Sequence, residues 1–129
     1  MERLTAVEGS AGRVARVLVI DDDEALLRMV RLCLRTAGMF VVTADDGRAA
    51  LESLEDGDFD VIVLDLQMPG MDGRTFYREK ASSGHDEPVI ILSAYGAEEA
   101  RRQLGAAAAM AKPFDPDTLI ETVLQVAER

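Results

Sequence analysis

The sequence predicts an α/β protein in which a parallel sheet is covered by helices on both faces. Short apolar segments, rich in Val and Ile, alternate along the chain with segments of helical periodicity. The apolar segments lack the polar alternation of a strand with one face in water, so we expect strands buried on both sides. The predicted strands cover residues 17–20, 39–44, 61–64, 88–92 and 107–111. Five strand-helix units in strict alternation are typical of a doubly wound sheet.

The helices are predicted from apolar residues that recur three and four positions apart. The first follows Asp23, a good N-cap residue, and stops at Gly38, which suits the position just past a helix C-terminus. The last starts at Asp115 or Asp117 and has an apolar face. The other three helices are predicted over residues 47–54, 75–81 and 97–104.

Composition limits the classes of function. The 129 residues suit one domain, and 14 basic against 24 acidic residues give a net charge of −10. This charge repels polyanions, so we expect no direct binding of nucleic acid or of an anionic membrane. Cys33 and His85 are the single cysteine and the single histidine, too few for an internal disulfide or a Cys/His zinc site. We expect a reducing compartment, with Cys33 as a small core residue.

Residues 1–13 mix charged and small residues without periodicity, so they are predicted to be a flexible leader before a folded domain at 14–129. This segment has no hydrophobic signal core, and the longest apolar stretch is far below the roughly 20 residues of a membrane span. We therefore expect a soluble, cytoplasmic protein.

Polar residues follow four of the predicted strands. Asp21 and Asp22 come after the first, Asp65 after the third, Ser93 after the fourth and Lys112 after the fifth. Ligands of open α/β sheets bind beyond the carboxyl ends of the strands, where these residues would meet. Each residue alone has an ordinary structural explanation, such as a helix cap or a solvated charge. Their joint placement favours a functional site.

The residue types indicate phosphoryl chemistry with a hard cation. Clustered carboxylates repel one another, and Mg²⁺ bound through Asp22 and Asp65, with Asp21 holding a metal-bound water, would relieve this. A carboxylate can attack phosphorus to form an aspartyl phosphate, and Lys112 and Ser93 would meet the charge on the transferring oxygens. No glycine-rich nucleotide-phosphate loop occurs, so we do not expect the phosphate to arrive on a bound nucleotide.

Four segments within about residues 15–128 form a specific set of motifs, namely VLVIDDDEALLRMV, VIVLDLQMPGMDG, PVIILSAYG and AKPF. In these segments the chain resembles a response-regulator receiver domain of two-component signalling. The resemblance implies a five-stranded sheet in the order 2-1-3-4-5. It implies a switch that takes a phosphoryl group from a histidine of a sensor histidine kinase or a histidine phosphotransfer protein. Such a domain is not an enzyme beyond promoting its own phosphorylation and dephosphorylation.

The resemblance also assigns roles to individual residues. It makes Asp65 the phosphoacceptor, and Ser93 and Lys112 contacts of the phosphoryl group. The Mg²⁺ ligands that it implies are Asp21, Asp22, Asp65 and the backbone carbonyl of Gln67. It further implies a cis peptide bond between Lys112 and Pro113. His85 falls at the opposite end of the sheet, so it is predicted to be a loop residue rather than a phosphoryl donor.

Two features depart from the family pattern. Ala109 stands where the fifth strand usually has an aromatic residue, so half of the usual switch pair is missing. The segment from Ser93 to Gly105 is about one helical turn short, so a stunted or irregular fourth helix is expected. Tyr95 stands at a position that tunes the loss of phosphate in the family. It is either the replacement ring or a half-buried loop aromatic.

Other functions stay open at this point. One is a receiver-like binding module that signals without phosphorylation, which the intact acidic set disfavours. Another is a metal-dependent phosphohydrolase with an aspartyl nucleophile, but Gln67 stands where such enzymes have a second Asp. A flavodoxin-like cofactor carrier lacks support because no phosphate loop follows Ile20. The sequence leaves undecided whether the chain acts alone or within a longer protein, and which kinase and downstream partner it meets.

Overall fold

A computed structural model describes residues 14–68 and 70–128. The predicted leader at residues 1–13 lies outside the described residues. Five parallel strands form one sheet in the order β2-β1-β3-β4-β5, which confirms the predicted fold class and strand order. The strands are β1 (Arg16–Ile20), β2 (Phe40–Ala44), β3 (Val61–Asp65), β4 (Val89–Ser93) and β5 (Ala108–Ala111).

Five helices connect and follow the strands. They are α1 (Glu24–Thr36), α2 (Gly47–Asp56), α3 (Gly73–Ser82), α4 (Ala97–Leu104) and α5 (Pro116–Ala127). Asp23 caps α1 by accepting a hydrogen bond from the Leu26 N–H, and Gly38 past its end has a φ of 95°, as predicted. The fourth helix has 8 residues, so it is short as expected, but it is regular.

Each face of the sheet carries its own apolar core. Along β1, Val17 and Val19 belong to the core under α1 and α5, while Leu18 and Ile20 belong to the core under α2, α3 and α4. All four side chains have 0% exposure, as the unbroken apolar run predicts. Burying such a side chain contributes about 2 kcal/mol to stability. Packing on both faces therefore fixes each strand relative to its neighbours and fixes where the strands end.

Two smaller features complete the fold. The prediction that Cys33 is a core residue is wrong, because the buried face of α1 consists of Leu27, Val30 and Leu34. Cys33 lies on the flank of that face at intermediate burial, with its Sγ 3.8 Å from the Sδ of Met29. Within residues 14–68 and 70–128, no helix combines the length and the apolar character that crossing a membrane requires.

Candidate functional site

Three carboxylates meet where β1 and β3 end side by side. The register places Ile20 opposite Leu64, so Asp21, which follows β1, and Asp65, the last residue of β3, reach the same edge. Asp21 is 0% exposed and Asp65 is 2% exposed, whereas Asp22 is exposed. One oxygen atom from each of Asp21, Asp22 and Asp65 lies within 4.8 Å of the other two. The sequence predicts that these three residues meet at one edge of the sheet, and the structure places them there.

Lys112 reaches this acidic group from the end of β5. Its Nζ donates a hydrogen bond to Asp21 Oδ2 at 2.9 Å and lies 3.3 Å from Asp65 Oδ1. The nearer partner is therefore Asp21, not Asp65. The backbone N–H of Lys112 donates to the Ser93 carbonyl at 3.0 Å, and the Lys112–Pro113 peptide bond is cis, as the resemblance implies.

The charges in this cluster perturb one another. Burial and the charge of Asp21 raise the pKa of Asp65, while the Gln67 N–H and Lys112 lower it in part. Burial alone would lower the pKa of Lys112, but its hydrogen bond to Asp21 and the charges of Asp21 and Asp65 raise it overall. Three carboxylates against one ammonium leave an excess of negative charge. Such an oxygen-rich, acidic group has the chemistry that Mg²⁺ prefers.

The segment after β3 is held close to Asp65. The Gln67 N–H donates to Asp65 Oδ1 at 3.3 Å, and the Gly73 N–H donates to the Leu66 carbonyl at 3.0 Å. A Cβ on Gly73 would lie 2.6 Å from the Asp65 carbonyl oxygen and 2.6 Å from Leu66 Cα. Only glycine therefore lets α3 begin against the Asp65 backbone. The sequence gives no local signal of this role, because a loop glycine is usually explained by a positive φ, which Gly70 has at 75° and Gly73 does not.

Ser93 is buried beside the cluster and is bonded to its own loop. Its Oγ donates to the Tyr95 carbonyl at 2.7 Å, and the Tyr95 N–H lies 3.3 Å from the same Oγ. The Tyr95 side chain is 81% exposed, so it is neither half-buried nor placed beside Ala109 in this conformation. The backbone of this loop is thus hydrogen-bonded to Ser93, while the Tyr95 ring lies in solvent. The sequence alone did not predict this exposed position of the ring.

His85 lies far from this cluster, as expected. It belongs to the segment between α3 and β4, at the amino end of β4. Its Nε2 lies 3.4 Å from Glu55 Oε2 and its Nδ1 lies 3.5 Å from Glu87 Oε2. The contact with Glu55 connects the α3–β4 loop to α2, which gives His85 a structural role.

Fold and site together define a doubly wound α/β protein with an acidic, lysine-bridged group at the carboxyl edge of its sheet. The family described as response regulator receiver domain matches residues 17–124. The chain belongs to this family. It is thus a receiver domain, the phosphorylation-controlled switch of two-component signalling, and nothing in the comparisons favours a phosphohydrolase or an unphosphorylated binding module.

Individual proteins show the same similarity. The transcriptional regulatory protein GlrR of Escherichia coli (strain K12) is 35% identical over 118 residues, which cover 89% of this chain and 27% of that protein. The Francisella response regulator 1452 receiver domain has a TM-score of 0.83 at 32% identity, covering 89% of this chain and 98% of that chain. The response regulator TrrA from Thermotoga maritima, solved in complex with Mg²⁺-BeF, has a TM-score of 0.77 at 29% identity, covering 88% and 99%.

The coverage differs between curated and solved relatives. This chain spans about a quarter of the length of GlrR, whereas it matches nearly all of the two solved chains. Receiver domains bind Mg²⁺ at an acidic group of the kind formed here by Asp21, Asp22 and Asp65, and they are generally switches rather than enzymes.

Proposed function

We propose that Asp65 accepts a phosphoryl group from the phosphohistidine of a sensor histidine kinase or a histidine phosphotransfer protein in an Mg²⁺-dependent reaction. The observation that carries this proposal is the buried pair of Asp21 and Asp65, bridged by Lys112 and flanked by exposed Asp22. The domain at residues 14–129 then passes the signal to a downstream protein by contact. We place this activity in the cytoplasm, and the net charge of −10 disfavours direct nucleic-acid contact.

Asp65 is the best nucleophile of the three carboxylates. Both oxygens of Asp21 already accept hydrogen bonds at 2.9 Å, one from Lys112 Nζ and one from the Asp23 N–H. Asp22 is exposed and suits a metal ligand. An Asp65 oxygen attacks phosphorus, the bond from phosphorus to the donor imidazole breaks, and the imidazole leaves with its electron pair and takes a proton.

Residues around Asp65 stabilise the charge on the phosphoryl oxygens. Lys112 supplies an ammonium within reach of Asp65, and the Ser93 hydroxyl lies on the adjacent strand. Bound Mg²⁺ would supply positive charge to these oxygens, held directly by Asp22, Asp65 and the Gln67 carbonyl and by Asp21 through a metal-bound water. Burial excludes water around Asp65 and makes these interactions stronger than at the surface.

Phosphoryl transfer is tested with a small donor. Wild-type protein incubated with acetyl phosphate and Mg²⁺ is expected to gain the mass of one phosphoryl group in intact mass spectrometry, and to gain none when EDTA removes the metal. No gain with Mg²⁺ present, or an equal gain with EDTA, contradicts the proposed function.

The two acidic residues after β1 are expected to differ in their effect on Mg²⁺ binding. Asp22→Ala should weaken Mg²⁺ affinity by more than about tenfold, since it removes a direct ligand. Asp21→Ala should weaken it less, because Asp21 acts through a metal-bound water and through Lys112. Isothermal titration of Mg²⁺ into both variants measures the ranking, and the reverse ranking would show that the ligand assignment is wrong.

The change of state is proposed to start at the Ser93 hydroxyl. When Ser93 Oγ turns to the phosphoryl group, it leaves the Tyr95 carbonyl without its 2.7 Å hydrogen bond. The following helix α4 is weakly held, because its buried residues are only Ala97 and Ala100 and it lies between Gly96 and Gly105, both with positive φ. We expect this helix and its flanking loops to move, with the exposed Tyr95 ring as the side chain that changes most.

Amide hydrogen exchange tests this change with beryllofluoride as the phosphoryl mimic. Wild-type protein should alter its exchange mainly over residues 93–105, and Ser93→Ala should reduce that change strongly. Tyr95→Ala should lose phosphate-dependent binding of a downstream partner, while Tyr95→Phe keeps it. Changes confined to α1, or unaltered partner binding by Tyr95→Ala, contradict this switch.

A further inference from the structure

We infer that the contact between Gly47 and Met71 positions the two loops that carry the Mg²⁺ ligands. Gly47 and Met71 are then positioning residues for phosphoryl transfer, although neither touches the reacting atoms. This inference rests on the proposed function, because it concerns the same site.

Gly47 is a buried glycine at the first position of α2. Its φ lies outside the positive range, so its backbone conformation is open to any residue. Alanine is more stable than glycine in a helix, so local propensity does not account for this residue. Space does account for it, because a Cβ at Gly47 would lie 2.8 Å from Sδ, 2.9 Å from Cγ and 3.0 Å from Cβ of Met71.

Met71 cannot avoid such a Cβ by rotating its side chain. Its own Cβ is among the crowded atoms, and that atom is fixed to the backbone. A separation of 3.0 Å is closer than packed carbon atoms normally approach, so the Met71 backbone would have to give by a few tenths of an ångström. The loop between β3 and α3 can therefore lie this close to α2 only because Gly47 has no side chain.

The loop that contains Met71 is tied to the phosphoacceptor. It starts at Leu66, and the Gln67 N–H donates to Asp65 Oδ1 at 3.3 Å. It ends at Asp72, which caps α3 by accepting a hydrogen bond from the Thr75 N–H at 2.9 Å. Two residues beyond Met71, the Gly73 N–H donates to the Leu66 carbonyl at 3.0 Å, so a shift of Met71 is transmitted to the backbone next to Asp65.

The segment that contains Gly47 is tied to the other acidic strand end. The Ala44 carbonyl accepts a hydrogen bond from the Asp21 N–H at 3.1 Å, and Asp46 caps α2 by accepting from the Ala49 N–H at 2.8 Å. The contact of Gly47 with Met71 thus joins the segment bonded to Asp21 to the segment bonded to Asp65. It fixes the spacing between the two sets of proposed ligands, to which metal binding and phosphoryl transfer are sensitive.

A size-exchange experiment tests this role. Gly47→Ala is expected to weaken Mg²⁺ affinity about tenfold in isothermal titration and to slow phosphorylation by acetyl phosphate. The double variant Gly47→Ala with Met71→Gly should recover most of that affinity, because it removes all three crowded atoms, Sδ, Cγ and Cβ. Such recovery reports on the contact itself, since an effect of alanine on helix α2 alone would not be reversed by truncating Met71.

Gly57→Ala is the matched control at the other end of α2. Gly57 has a φ of −165°, and a Cβ there meets only Arg16 Nη2, at an ordinary 3.6 Å. It should leave Mg²⁺ affinity unchanged. Met71→Val adds a branch at Cβ, one of the three Met71 atoms that crowd the Cβ position of Gly47, so it approaches the same contact from the loop side and should also lose affinity. It keeps the test decisive should Gly47→Ala not fold.

The outcomes separate the contact from the proposed function. Unchanged Mg²⁺ affinity in Gly47→Ala or in Met71→Val, with wild-type protein active, overturns the inference alone. A double variant that stays as weak as Gly47→Ala overturns it too. Wild-type protein that binds no Mg²⁺ and accepts no phosphoryl group overturns the proposed function and this inference with it.

Discussion

Asp65→Asn is expected to take up no phosphoryl group from acetyl phosphate, a fall in rate of at least about 1000-fold, since it removes the covalent nucleophile. The other two carboxylates of the group are poor substitutes. Asp21 is fully buried and bonded to Lys112, and Asp22 lies on the exposed side. Intact mass spectrometry with Mg²⁺ present measures the uptake. An equal rate of mass gain in the variant would show that another residue accepts the phosphoryl group.

Asp45→Asn is the matched control for this substitution. Asp45 is exposed and follows β2 at the same edge of the sheet, outside the group of three carboxylates. It should be phosphorylated at the wild-type rate. A comparable loss in Asp45→Asn would mean that the edge responds to lost charge in general rather than to the loss of one nucleophile.

Asp65→Asn is also expected to stabilise the metal-free protein at neutral pH. Burial and the charge of Asp21 raise the pKa of Asp65 above its ordinary value, so the ionised carboxylate costs more free energy in the folded than in the unfolded state. The neutral amide removes this cost. Urea unfolding without metal should show a higher midpoint for the variant, and added Mg²⁺ should stabilise the variant less than the wild type.

The sequence predicted the strands more sharply than the ends of the helices. A strand buried on both faces is apolar along its whole length, so the limits of residues 61–64 are visible in the sequence and match β3 to within one residue. Helix α2 continues to Asp56, past the predicted end at Leu54. The prediction stopped early because the last turn of α2 is polar and has no apolar periodicity. Helix α3 starts at Gly73, and the prediction placed its start at Thr75 because a glycine in the first turn resembles loop sequence.

The site was predictable in its members but not in its contacts. Strand ends in a parallel sheet share an edge, so Asp21, Asp65 and Lys112 could be brought together from chain order alone. That Lys112 bonds more closely to Asp21 depends on side-chain lengths across neighbouring strands. The exposed ring of Tyr95 and the close approach at Gly73 are likewise three-dimensional facts, which no local pattern records.

Lys112→Met is expected to have the second largest effect, on both chemistry and stability. Phosphorylation by acetyl phosphate should slow about 100-fold, because the ammonium that meets the phosphoryl oxygens is lost. Without metal, the free energy of unfolding should fall by about 3 kcal/mol, since Asp21 and Asp65 are left as buried carboxylates without their cation. Methionine keeps most of the apolar stem, so the measured effect is that of the charge.

Mg²⁺ should restore much of the lost stability of Lys112→Met, because a divalent cation compensates the same two carboxylates. Lys80→Met is the matched control, since Lys80 is also buried but donates to the His85 carbonyl at the opposite end of the sheet. Its loss of stability should be the same with and without added Mg²⁺. Urea unfolding of both variants across an Mg²⁺ series measures the contrast. Equal Mg²⁺ rescue of the two variants would mean that the ion stabilises the fold elsewhere, and no rescue of Lys112→Met would mean that Lys112 and the metal do not act on the same charges.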